Sequence, residues 1–304
     1  MNRATVFVPG SIGNVGPGFD VLGLAIGGIG DRVTVELTDG PARIEEISGR
    51  DAALLPREPE RNTASIAAAA WLRRAGVNKN PIVSICKSLP LAGGMGGSAA
   101  SSVGGAYAAT LAAGAAVDTN EIMAAALEAE EVVAGRHLDN IAPSTLGGLC
   151  LVRGVDPVDV ISVAAPESWR VALVTPRVRI STRDARGVLP EQWDSASWIQ
   201  QMANTAALLY AFTIADEDLV SRALDDLYAE PRRAALIPSF HEIKRAALAN
   251  GAFGCSISGS GPTVFAIASE RRVSQCAAAM KNALGGVEGD VHVTSIAREG
   301  ARRV

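Results

Sequence analysis

The segment best able to bind a phosphate is Pro90-Leu91-Ala92-Gly93-Gly94-Met95-Gly96-Gly97-Ser98-Ala99-Ala100. Its four glycines allow backbone angles that other L-residues avoid, so several N–H groups can converge on one concavity. The alanine-rich stretch that follows reads as a helix, whose unpaired first-turn N–H groups and dipole favour an anion. Ser98 can donate a hydroxyl and can also cap that helix. A di- or triphosphate suits such a loop. The spacing Gly-x-x-x-x-Gly-Lys-Ser/Thr is absent, so this is not a Walker loop, and a dinucleotide fingerprint would lie beside the first strand. A glycine turn that merely enters an alanine helix would have the same composition.

Polar groups that could complete a site recur in otherwise apolar or small-residue settings. Asn14 and Asp20 lie within the run from Ser11 to Asp20, and Glu130 comes late in a helix that precedes Gly135-Arg136-His137-Leu138-Asp139-Asn140. Phosphoryl transfer needs a carboxylate to hold magnesium against the phosphates and donors to hold the acceptor. Glu130 suits the first role, but Glu128 and Glu131 are neighbours of the same kind, and a solvated helix end is the plainer reading. His137 stands beside Asp139 and Asn140 as a hydrogen-bonding group. Zinc fits poorly, since no second histidine or cysteine lies at ligand spacing.

Only four lysines stand against twenty-four arginines, so cation roles fall mainly to arginine. Arg183 and Arg186 follow a strand near residue 170, and Arg232 and Arg233 follow Pro231. A guanidinium can fork onto a carboxylate or phosphate with two parallel bonds. Each pair reads equally well as solvated surface. Gly259-Ser260-Gly261-Pro262 is a tight turn between two strands, which is the wrong context for a hydrolase elbow.

The elements that must position these groups can be read from periodicity. Strands are expected at 4–8, 21–26, 32–37, around Ile44, and at 81–86. Asn62 caps a helix to Arg74, a long helix runs from Ser98 to about Ala113, and Asp118 or Thr119 caps one from Glu121 to Ala134. Strands at 170–175, 253–257, 263–268 and 291–296, with one preceding helix and one at 271–284, give β-α-β-β-α-β, the split βαβ arrangement. The expected class is α+β in two domains, 1–160 and 161–304. A chain of 304 residues with 48% hydrophobic and 20% charged side chains is globular. Its net charge of -4 argues against a nucleic-acid or anionic-membrane binder. Cys86, Cys150, Cys255 and Cys276 read as buried thiols of a reducing compartment. With no leader pattern and no long apolar run, the chain reads as cytoplasmic.

Three separated motifs resemble those of the GHMP small-molecule kinase superfamily: the run from Val8 to Gly23, the Pro90–Ala100 loop, and Ser258-Gly259-Ser260-Gly261-Pro262-Thr263. Within it the chain is most similar to the homoserine kinase family, through Asn14-Val15-Gly16-Pro17-Gly18-Phe19-Asp20, His137–Pro143 and Leu236-Ile237-Pro238-Ser239-Phe240. The resemblance implies a ribosomal-protein-S5-like N-terminal domain and a ferredoxin-like C-terminal one. It implies ATP and Mg2+, with L-homoserine phosphorylated on its side-chain hydroxyl in threonine biosynthesis, and a homodimer would fit. Pro90, Gly93, Gly94, Gly96, Gly97, Ser98 and Ala99 match the ATP loop, and Glu130 with Ser98 matches the metal site. Asn14, Asp20, His137, Asn140, Arg186 and Arg233 match groups around homoserine, with Asp20 near the amino group and the two arginines at the carboxylate. The resemblance supplies no general base, so the hydroxyl proton would pass to the phosphoryl group itself. Three positions depart from the family pattern. Gly97 replaces a serine, Gly13 an alanine, and Ser239 a glycine. A kinase of another small alcohol, or a binding protein that kept the fold without activity, remains the competing expectation.

Overall fold

In the computed structural model, which describes residues 2–133 and 135–304, the chain builds two sheets joined across one cleft. β1 (Arg3–Gly13) and β2 (Leu22–Thr38) form a long antiparallel pair. Sequence periodicity divides β2 in two at Gly27-Gly28-Ile29-Gly30, yet the strand runs through. It changes partner there instead: residues 32–38 pair with β4 (Asn80–Lys87), and residues 22–24 pair with β5 (Leu149–Val155). β3 (Arg43–Gly49) lies parallel to β4, β6 (Val158–Val163) closes a hairpin with β5, and β11 (Arg302–Arg303) returns to pair with β1. The sequence pattern did not anticipate the β5–β6 hairpin. Residue 160, where the sequence places the domain boundary, falls inside β6.

Helices α1 (Thr63–Arg74), α2 (Gly97–Ala112), α3 (Thr119–Val133) and α4 (Ile141–Leu146) pack with this sheet. Asn62 caps α1 as expected, its Oδ1 accepting from the N–H groups of Ala64 and Ser65. Asp118 does the same for α3. Ala134, the expected last residue of α3, lies outside the described residues. α2 and α1 touch backbone to backbone, because a Cβ at Gly105 would sit 2.0 Å from the Ala64 carbonyl oxygen. Gly105→Ala is therefore expected to lower the melting temperature by roughly 5 °C or more, as the two helices are forced apart. Gly187→Ala, which meets open space, should leave it unchanged within about 1 °C.

The second sheet has the order β10-β7-β9-β8, all antiparallel, from β7 (Trp169–Pro176), β8 (Ala252–Ile257), β9 (Val264–Ser269) and β10 (Gly289–Ser295). With the helices between β7 and β8, and α10 (Val273–Asn282) between β9 and β10, this is the split βαβ arrangement. The intervening helices are α5 (Thr182–Gly187), α6 (Ser195–Ile214), α7 (Glu217–Ala223), α8 (Glu230–Arg233) and α9 (Phe240–Ala249). Not all four thiols are buried, as the sequence suggests: Cys86 is exposed. Strand alternation along β4 turns Pro81, Val83, Ile85 and Lys87 inward, and Cys86 outward. Among the described residues no helix is long and apolar enough to cross a membrane.

Candidate active site

The glycine loop connects β4 to α2 and is fixed from three sides. Gly96 holds φ 66° as the residue before α2, and a Cβ there would lie 2.0 Å from Ser11 Oγ, so glycine is required twice over. The Ser11 N–H donates to the Met95 carbonyl at 3.2 Å. From the second sheet, the hydroxyls of Thr263 and Ser258 donate to the carbonyls of Gly93 and Gly94. With these carbonyls already hydrogen-bonded, the unpaired N–H groups at the start of α2 are the loop groups best suited to an anion. Ser98 does not cap α2, contrary to the sequence reading. It lies in the first turn, and its Oγ donates to Glu130 Oε1 at 2.6 Å.

Glu130 is not a solvated helix-end acid. It is buried where α3 passes α2, and burial raises its pKa against the opposing Ser98 hydrogen bond and the nearby positive groups. A buried carboxylate beside a hydroxyl at the helix N-terminus is an all-oxygen donor set of the kind Mg2+ takes.

The opposite wall carries charge. Asn14, Val15 and Asp20 all hold left-handed backbone angles, so the 14–20 loop is strained where it meets the cleft. Asn14 Oδ1 accepts from the Asp20 N–H at 3.0 Å, and its Nδ2 donates to the Gly259 carbonyl at 3.1 Å. One nitrogen of Arg186, on α5, donates to both Asp20 oxygens at 2.7 and 3.0 Å. The Arg186 and Arg233 guanidiniums flank the Phe19 ring at 5.3 and 5.4 Å. Arg233 is buried, donating to the carbonyls of Ala185 and Gly259; burial and the neighbouring Arg186 charge lower its pKa. His137 Nδ1 lies 3.4 Å from Asp139 Oδ1. Asn140 faces both Asp139 and Ser11. Every site residue expected from sequence lines one cleft of about 370 Å³, the loop and Glu130 with Asn14, Asp20, His137, Asn140, Arg186 and Arg233.

Residues 62–148 match the GHMP kinases N terminal domain, and residues 208–286 match the GHMP kinases C terminal domain. A homoserine kinase of Chlorobaculum tepidum is 39% identical over 99% of this chain and 98% of its own length. The chain belongs to the homoserine kinases. Another homoserine kinase, from Xanthomonas campestris pv. campestris, is 40% identical over 99% of this chain and 94% of its own. The crystal structure of homoserine kinase from Cytophaga hutchinsonii superposes with a TM-score of 0.94 at 36% identity, covering 100% of this chain and 98% of that one.

The three departures from the homoserine kinase pattern have local physical accounts. A Cβ at Gly13 would fall 2.4 Å from Asp139 Oδ2 and 2.5 Å from Asn140 Nδ2, so alanine would push both side chains aside. Ser239 sits at φ 57°, a left-handed position suited to glycine, and its hydroxyl bonds the Leu284 carbonyl at 3.3 Å. At Gly97 a Cβ would lie 3.2 Å from the Pro90 carbonyl oxygen and 3.6 Å from Lys87 Nζ, so a serine would press on the loop itself.

Two participants are given no site role by the sequence. Asp139 is buried and accepts from the Asn14 N–H at 3.1 Å, tying the 14–20 loop to the His137 segment. Phe19 provides the plate on which both arginines rest. The sequence shows Asp139 only as a neighbour of His137, and Phe19 only as part of the Asn14–Asp20 run. For His137, burial disfavours the imidazolium, but hydrogen bonding and charge from Asp139, with Asp20 behind, push its pKa up to about 9. Its contribution to stability is thus complete below the usual 6.5 and fades as pH rises through about 9. Imidazole NMR should show the His137 ring still protonated at pH 8, and Asp139→Asn should return its midpoint to below about 7.

Proposed function

We propose that the chain moves the γ-phosphoryl group of ATP to the side-chain hydroxyl of L-homoserine. The observation that carries this is the pairing, in one cleft, of a phosphate loop with an amino-acid-sized set of opposite charges. The loop N–H groups and the positive end of α2 hold the ATP phosphates. Glu130 and Ser98 hold magnesium, which when bound neutralises charge on the phosphates. Asp20 receives the substrate ammonium, while Arg186 and Arg233 receive its carboxylate. His137, kept as an imidazolium by Asp139, adds positive charge to the same wall; Asn14 holds the backbone of Asp20 and Gly259, and Asn140 holds the side chains of Ser11 and Asp139.

Catalysis then rests on positioning and charge stabilisation. The acceptor hydroxyl is aimed along the loop axis by its two charged ends, and its proton passes to the transferring phosphoryl. A coupled ADP-release assay with ATP and magnesium tests this, comparing L-homoserine with L-threonine, L-serine, mevalonate and galactose. Turnover confined to L-homoserine is the expected result. Turnover on another alcohol alone would discard the amino-acid wall, and silence on all of them would discard phosphotransfer at this cleft.

A further inference from the structure

Strand alternation places two residues of β4 against their type: Lys87 faces the interior, while Cys86 faces solvent. All three protons of the Lys87 ammonium have a partner. They go to the Asp31 carboxylate, to the Gly97 carbonyl at 2.8 Å, and to Ser101 Oγ at 3.1 Å. Asp31, fully buried on β2, uses its other oxygen to accept from the N–H groups of Ser88 at 2.8 Å and Leu89 at 3.1 Å. Ser88 and Leu89 lead into the glycine loop, and Gly97 opens α2 at its far end.

Taking two charges out of water is costly, and an apolar pair of similar volume commonly serves stability as well or better. Stability therefore does not account for this pair, whereas its geometry does. It spans the two ends of the one segment whose N–H groups must converge on phosphate.

We propose that the buried Lys87–Asp31 pair is a positioning device that fixes the entry and exit of the phosphate loop relative to each other. It acts on ATP and not on the acceptor. The inference rests on reading Pro90–Ala99 as the loop that holds ATP. Neither residue touches the reacting atoms in this scheme, and Lys87 acts through the Gly97 carbonyl that it holds.

The test separates positioning from simple support of the fold. Lys87→Met alone leaves Asp31 buried and unpaired, so both the melting temperature and ATP binding suffer. Adding Asp31→Asn removes the orphaned charge, while the Asn oxygen still accepts from Ser88 and Leu89. The double variant is expected to melt within about 3 °C of the parent. Its KM for ATP should stay raised about ten-fold, with the KM for homoserine within about two-fold. Ser101→Ala, which removes one partner without disturbing a charge, should raise the KM for ATP about two- to five-fold. If the KM for ATP recovers together with the melting temperature, or if the two KM values rise together, the proposal is overturned. Hydrogen exchange of the 90–100 segment in the parent enzyme, with and without ATP, checks the underlying reading separately. Absence of protection there would remove the loop assignment itself, while protection with unchanged KM values would remove only the Lys87–Asp31 device.

Discussion

Glu130→Gln is expected to lower kcat about 10²-fold or more, and at the same time to make the nucleotide-free protein more heat-stable at neutral pH. Both effects follow from one burial. The carboxylate is enclosed between α2 and α3, and its pKa is raised from the ordinary 4.5 by desolvation. For a carboxyl raised in this way, the folded chain keeps a proton that the unfolded chain has already released. Its stability therefore falls as pH climbs from about 4.5 through the folded value, and the loss is complete above it. Glutamine keeps a partner for the Ser98 hydroxyl without the charge, so it escapes that loss. Melting curves in EDTA at pH 5 and pH 8 check the sign: the variant should gain roughly 2 °C or more on the parent at the higher pH and less at the lower. Saturating magnesium and ATP should then narrow or reverse the gap, because only the parent has the carboxylate. A variant that melts lower than the parent at pH 8 in EDTA would contradict the assignment of Glu130 as a desolvated group held for a cation.

Arg186→Ala should raise the KM for homoserine about 10- to 100-fold, and leave the KM for ATP within about two-fold. Without substrate, Arg186 and Asp20 satisfy one another across the mouth of the cleft. An amino acid can enter by exchange, its ammonium replacing Arg186 at Asp20 and its carboxylate taking the arginine. No charge is left alone at the end. An amino alcohol lacking the carboxylate, such as 3-aminopropan-1-ol, breaks the same pair without repairing it. The parent should therefore prefer homoserine to that alcohol strongly, and in Arg186→Ala the preference should shrink toward unity. Arg186→Lys should recover only part of the preference, since an ammonium can bond Asp20 but lacks the planar pair of donors that receives a carboxylate with two parallel bonds. A preserved preference in the alanine variant would place carboxylate recognition elsewhere, with Arg233 as the first place to look.

The sequence makes some of this plain and hides the rest for physical reasons. The glycine loop is legible because a run of glycines before a helix has few uses, and the second sheet because its strands alternate cleanly with helices. Glu130 looks no different from Glu128 and Glu131; only its position opposite Ser98 separates it, and that is a property of how α2 and α3 cross. The β5–β6 hairpin is short, and β5 opens on four apolar residues in a row while β6 is half-exposed, so neither strand shows a clean alternation. Lys87 is the hardest to see. A lysine at the end of a strand suggests solvent, and the charge that receives it inside is an aspartate fifty-six positions earlier on a neighbouring strand. Tertiary pairing of this kind leaves no local pattern.

The hydroxyls of Ser258 and Thr263 tether the phosphate loop to the second sheet, although the loop itself springs from the first. The two halves of the molecule thus share a cooperative unit at the point where nucleotide arrives. The loop cannot loosen by itself, because its carbonyls are held by residues 164 and 170 positions further along the chain. Nucleotide binding energy is consequently distributed over both sheets. ATP should delay the melting of the chain as a whole, and the protection it confers on amides should reach strands of the second sheet that never touch it.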